Sequence, residues 1–108
     1  MQFKKLMADK IMAGEKTATR RLKKPRFKVG SRQPVQNGYR DKARCYIVID
    51  VIYEQRMDAM TDADVRREGF DNYYTFYAYI CKVNKTVILT IRPVWVIEFH
   101  KEADNVTK

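Results

Sequence analysis

Three residues of this chain, Lys16, Thr19 and Glu68, have the types that acyl transfer requires. A threonine hydroxyl becomes a nucleophile when a base removes its proton, and a lysine is such a base when burial or neighbouring cations lower its pKa. Arg20, Arg21, Lys23 and Lys24 follow at once; they disfavour a charged ammonium at Lys16 and can stabilise a developing oxyanion. Glu68 is the acid best placed by sequence to carry a proton to the leaving atom. The same residues fit a second reading, in which Lys16 and Arg21 bind phosphates, Thr19 fills a strand position and Glu68 pairs with an arginine. Residue types alone leave both open.

The surroundings of Lys16 and Thr19 are strongly basic. From Lys16 to Lys28, seven of thirteen side chains are Lys or Arg, and the first 44 residues hold 14 of the 22 cations against 3 of the 13 anions, a net +11. The remaining 64 residues carry 8 cations and 10 anions, a net −2, so all the excess charge is N-terminal. Such asymmetry marks a polyanion-binding face, because Lys and Arg displace the counterions condensed on phosphates. Arg20, Arg21, Lys23, Lys24, Arg26 and Lys28 are the expected nucleic-acid contacts. Tyr73, Tyr74, Tyr77 and Tyr79 offer one or two rings for stacking on unpaired bases, the rest packing in the core.

Other chemistries lose their support. There is no GxGxxG, Walker loop, GxSxG or pair of histidines. Cys45 and Cys81 sit far apart in apolar runs and read as reduced core residues, and His100 reads as a surface residue at a strand end. No metal and no cofactor is expected. No apolar run approaches a membrane span of roughly 18 residues, and the opening MQFKKLMADK lacks the apolar stretch of a signal peptide, which predicts a cytoplasmic protein that does not enter membranes.

The elements that must position these residues follow from periodicity. Phe3, Leu6, Met7, Ile11 and Met12 recur at helical spacing, predicting a helix over 3–13 that stops on Gly14. Residues 16–22 read as a strand with Lys16, Ala18 and Arg20 on one face and Thr17, Thr19 and Arg21 on the other. Lys23–Arg26, containing Pro25, is a basic loop. Short strand or turn segments follow at 27–30 and 34–35, with a turn at Asn37-Gly38. Residues 45–53 form a central strand. Thr61 caps a short helix that ends at Glu68 and Gly69, and 72–82 favours a helix over a strand. Residues 86–99 read as two strands or one bent at Pro93, and the tail 101–108 as frayed. One α+β domain over 1–108 results, most simply a small, mostly antiparallel barrel with flanking helices.

Gly14-x-Lys16-x-x-Thr19-x-Arg21 after an amphipathic helix, then Val29-Gly30, Glu68-Gly69-Phe70 after a threonine-capped helix, and a closing Trp95-Val96-Ile97-x-Phe99 strand together resemble the ASCH domain. The resemblance covers nearly the whole chain and implies a PUA-like β-barrel with helices around a cleft. For that cleft it implies either RNA binding or ribonuclease activity, or removal of the acetyl group from N4-acetylcytidine, with Lys16, Thr19 and Glu68 as the catalytic residues. The loop from Arg20 to Arg26 is more basic than a neutral nucleoside needs. The leading expectation is therefore single-stranded RNA gripped by that loop with one base near Lys16, Thr19 and Glu68. The alternatives are an amidohydrolase on a modified pyrimidine nucleoside and, third, a metal-independent ribonuclease.

Overall fold

The structure, a computed structural model, describes residues 1–103. Helix α1 spans Lys5–Met12, somewhat shorter than its apolar pattern, and buries Met7, Ala8 and Ile11. The chain then turns at Gly14, whose φ of +79° an L side chain rarely adopts. Strand β1 is Ala18–Arg21, β2 is Arg32–Val35 and β3 is Cys45–Arg56. A single 3₁₀ turn at Met57–Ala59 leads to α2, Asp62–Arg67, and then α3, Tyr73–Asn84, and β4, Pro93–Lys101.

Both later helices start on caps that the sequence spells out. The Thr61 hydroxyl accepts from the Asp64 amide (3.1 Å) while the Asp64 carboxylate accepts from the Thr61 amide (2.9 Å), a reciprocal capping box. The Asn72 side chain accepts from the Thr75 amide (3.0 Å), and this cap, with Phe76 and Ile80 buried one turn apart, settles 73–84 as helix.

The four strands pair antiparallel in the order β1-β4-β3-β2, curled into a half-barrel. β1 and β2 are not joined, so the expected antiparallel barrel is a half-barrel, open between these two strands. β3 and β4 are its spine, and their register slips between Ile49 and Val51, a bulge that leaves Asp50 beside His100 at 2.8 Å on the surface. Two apolar clusters fill the interior. One joins α1 to Val35, Ile47, Ile49, Ile97 and Phe99; the other joins Met57, Val65, Phe76, Ile80, Ile88 and Val94. Phe70 packs against both, so the segment after Glu68 lies at their junction.

Three expectations need adjusting. Residues 86–92 form no strand: Ile88 is buried, but Val87, Leu89 and Ile91 face outward. Their backbone serves the 3₁₀ turn instead, with Thr90 O and Arg92 O accepting from Asp58 N (2.8 Å) and Met57 N (3.1 Å). Pro93 thus opens β4, where its missing N–H costs no ladder bond. Cys45 and Cys81 form no disulfide and are only half-buried. Lys101 ends β4 and the Glu102 amide donates to Tyr46 O (2.8 Å); the expected fraying beyond 103 falls outside the described residues. Among the described residues no helix is long and apolar enough to cross a membrane.

Candidate functional site

The turn after α1 folds Lys16 inward. The amides of Glu15 and Lys16 both donate to Lys10 O, at 2.8 and 3.2 Å, and the Thr17 amide donates to Arg67 O at 2.7 Å. That last bond fastens the entry to β1 onto the end of α2, one residue before Glu68. Gly69 completes the junction at a φ of +90°; a Cβ there would lie 3.0 Å from Lys10 Cδ and 3.4 Å from Lys16 Cβ. The Lys10 ammonium also donates to Gly69 O. A glycine is needed here both for its conformation and for the close approach that brings Glu68 to Lys16.

Three charged side chains meet at this junction out of contact with water: Lys16, Arg20 and Glu68 are 4%, 5% and 1% exposed. Lys16 Nζ donates to Glu68 Oε1 (2.9 Å) and to Glu68 O (3.1 Å), and Arg20 Nη1 donates to Glu68 Oε2 (2.7 Å). Arg20 Nη2 donates to Gln55 Oε1 (2.6 Å) on β3, and Gln55 Nε2 reaches Asp64 of the capping box at 3.4 Å. Asp64 in turn accepts from Arg67 (3.0 Å). Two cations therefore share one carboxylate, and the array is tied to the cap of α2. Burial is the largest influence on Lys16 and lowers its pKa; Glu68 opposes this, and Arg21 and Arg20 add to the lowering. The net direction is down, because the ion pair recovers less than desolvation costs.

The cluster lines a cavity of about 290 Å³. Thr19 and Arg21 also line it, and Gln2, Lys4, Asn37, Tyr79 and Asn84 add polar groups. The buried Thr19 hydroxyl makes no hydrogen bond among the described residues, so it is neither bonded to Lys16 nor committed elsewhere. Arg20 Nε is a buried donor without an acceptor, a deficit worth about 1–3 kcal/mol until an oxygen fills it. No group of three or more His, Cys, Asp or Glu side chains that could hold a metal ion occurs among the described residues.

The structure thus brings Lys16, Thr19 and Glu68 to one cavity, and it moves one cation. Arg20, expected among the phosphate-gripping residues of the loop, is a buried residue of β1 committed to Glu68 and Gln55, because β1 is covered by α2 on the face that Arg20 shares with Lys16. Lys23, Lys24, Arg26 and Lys28 do lie exposed beyond β1, with Lys24 Nζ 5.4 Å from the Trp95 ring centre. Arg21 is half-buried, 5.0 Å over the Phe3 ring. Of the tyrosines, Tyr79 reaches the cavity, Tyr73 and Tyr77 stack on each other against the second core cluster, and Tyr74 is exposed. Sequence reasoning missed Gln55 and the second role of Asp64. The only signal for Asp64 was its capping position, and nothing in the pattern marks Gln55.

No family model matches the sequence and no curated protein matches it. Solved structures do resemble it. An ASCH domain from Lactobacillus crispatus superposes with a TM-score of 0.67 at 20% identity, over 89% of this chain and 70% of that one. The DUF984 protein EF3133 from Enterococcus faecalis gives 0.66 at 15% identity, over 89% and 69%. A mutant of the Zymomonas mobilis ASCH protein gives 0.68 at 13%, over 93% and 66%. At these identities the likeness is one of fold, and this chain spans about two thirds of the length of the proteins it resembles.

Proposed function

We propose that this ASCH-fold chain is an amidohydrolase that cleaves the acyl group from the exocyclic nitrogen of an N4-acylated cytosine. The observation that carries the reading is the buried Lys16–Glu68–Arg20 array in the cavity that Thr19 also lines. With two cations to one carboxylate, the array carries a surplus positive charge in a desolvated place, and only Lys16 can shed it, since the guanidinium keeps its proton. The deprotonated form of Lys16, which burial favours, is then the base for the uncommitted Thr19 hydroxyl.

In this mechanism Thr19 Oγ1 attacks the acyl carbon as its proton passes to Lys16 Nζ. The acyl oxygen takes the negative charge and accepts from the unpartnered Arg20 Nε. Collapse breaks the C–N bond, and the Lys16 ammonium returns its proton to the leaving amine. Water then attacks the threonyl ester with Lys16 again as base, releasing the carboxylic acid and restoring the hydroxyl. Glu68, whose two oxygens both accept from cations here, acts as the positioning residue that aims Lys16. That replaces the proton-donor role that sequence reasoning gave it. The same three residues are those that the resemblance to ASCH amidohydrolases singles out, and the cavity has the small volume of a site for a single base or nucleoside.

Incubation with N4-acetylcytidine, following acetate, tests the reading. Wild-type protein should release acetate, and Lys16→Met and Thr19→Val should each abolish release while the protein stays folded. No release by the wild type, or release that survives both substitutions, refutes it.

A second reading, single-stranded RNA binding without turnover, is favoured by the four exposed cations Lys23, Lys24, Arg26 and Lys28. It predicts that binding of a labelled RNA weakens with salt at about −0.7 in log K per log salt for each phosphate engaged, and that removing two of these cations flattens the slope by about 1.4. A slope unchanged by the substitutions counts against it. Cleavage of the labelled strand would point instead to a PUA-like ribonuclease.

A further inference from the structure

Arg21 stands between two cavities. On one side is the site just described; on the other is a cavity of about 220 Å³ walled by Met1, Pro25, Phe27 and Ile97, with Lys23 beside it. Arg21 is the one residue common to both linings. The walls differ in kind, since the first cavity carries charged and amide groups whereas the second is apolar apart from its two cations.

Arg21 feels the Glu68 carboxylate at a distance, but neither cation at the junction is bonded to a carboxylate among the described residues. Among the described residues Arg21 forms no ion pair, its guanidinium donating only to Gln2 O (3.0 Å), and Lys23 forms none either. Arg21 ends β1 and Lys23 follows two residues on, where the chain leaves the sheet. Two cations without carboxylates, set between a polar cavity and an apolar one, form a seat for an anion that joins a polar group to a flat apolar group. A phosphodiester between two bases has that form, because bases stack on aromatic and apolar surfaces while the backbone is held by Lys and Arg.

Resting on the reading of the first cavity, we propose that the second holds the nucleotide next to the acylated cytosine, with the connecting phosphate on Arg21 and Lys23, so that an oligonucleotide is the better substrate and the free nucleoside the weaker one. The strand must be single or locally opened, since a base inside a duplex cannot enter either cavity. The loop 23–28 then lies along the continuing backbone, which accounts for its charge. Arg20, buried in the first cavity, takes no part in this grip.

The test is binding of unacylated probes, which does not depend on turnover. Affinities of cytidine 3′- and 5′-monophosphate are compared with those of the dinucleotides carrying uridine on the 3′ or the 5′ side, and with an abasic counterpart that keeps the phosphate. One dinucleotide should bind about tenfold or more tighter than its monophosphate, with the abasic probe losing most of that gain. Phe27→Ser should reduce the gain severalfold without altering monophosphate affinity, whereas Lys23→Gln should weaken the dinucleotide, the abasic probe and the monophosphate that carries the connecting phosphate alike. Phe27 also packs on the core, so its variant is checked by thermal unfolding, while Lys23 is exposed and tests the idea with the fold untouched. Equal affinity of dinucleotide and monophosphate overturns the proposal, as does a gain that survives Phe27→Ser, or Lys23→Gln leaving all three affinities unchanged. A dinucleotide gain without any acetate release would refute hydrolysis and leave this second site standing.

Discussion

Two cations on one buried carboxylate make an asymmetric prediction about stability. Glu68→Gln leaves Lys16 and Arg20 facing each other without a counter-charge at a site only 1% exposed. Breaking a buried pair in this way costs about 3–5 kcal/mol, a large fraction of the roughly 5–15 kcal/mol that holds a domain of this size together. At about 4 °C or more per kcal/mol, the melting temperature should fall by at least about 12 °C. Lys16→Met is different in kind, because it removes the surplus charge and leaves Glu68 paired with Arg20, so it should cost little or even stabilise. The sharpest outcome is the double variant. In the Glu68→Gln background, Lys16→Met should be stabilising, a reversal by which the double variant outlasts the single one, with a coupling of about 0.5–3 kcal/mol. Urea unfolding at pH 7 of the four proteins measures all of this. The Glu68→Gln deficit should also shrink as pH rises, since Lys16 can lose its proton and Arg20 cannot. If Lys16→Met destabilises as much as Glu68→Gln, or destabilises further in its background, the surplus-charge reasoning is wrong and the base role assigned to Lys16 loses its foundation.

Three other outcomes follow from the geometry. Because burial holds the Lys16 pKa below the ordinary lysine value of 10.5, the base limb of kcat/KM for deacylation should lie below that pH, and a rate still climbing steeply beyond pH 10.5 would contradict it. Gly69→Ala and Gly14→Ala share the cost of a positive φ, about 1–2 kcal/mol, but only the first drives a Cβ to 3.0 Å from Lys10 and 3.4 Å from Lys16. Both should lower the melting temperature, and only Gly69→Ala should lower turnover in the fraction that remains folded; equal activity in the two would remove Gly69 from the site. Tyr53, which donates to Glu98 at 2.8 Å, has its pKa raised to about 12 from 10.0, chiefly by burial. The unfolded chain therefore loses this proton first, so stability should decline between about pH 10 and 12, and Tyr53→Phe should blunt that decline in alkaline unfolding measurements.

What was legible in the sequence was whatever local chemistry decides. The Thr61 cap and the helical spacing of Phe76 and Ile80 announced their helices, Gly14 and Gly69 announced where chains must reverse, and the β-branched run from Cys45 announced the sheet's longest strand. The run 86–92 misled because β propensity reports fitness for a pleated surface, and here Thr90 O and Arg92 O serve the 3₁₀ turn instead of a sheet edge. Arg20 misled for a related reason. In a stretch where seven of thirteen residues are cationic, nothing local distinguishes the one that turns inward. What does so is a carboxylate 48 residues away, and that partner becomes visible only when Gly69 lets the end of α2 press against the entry to β1. The consequence reaches function. Read as part of the loop, Arg20 is one more phosphate contact; paired with Glu68, it fixes the carboxylate with a charge that cannot be lost and leaves Lys16 as the group whose proton can move. The basic stretch is thus two devices in succession, and the division falls between Arg20, which tunes the buried lysine, and Arg21, which lines two cavities and pairs with no carboxylate among the described residues.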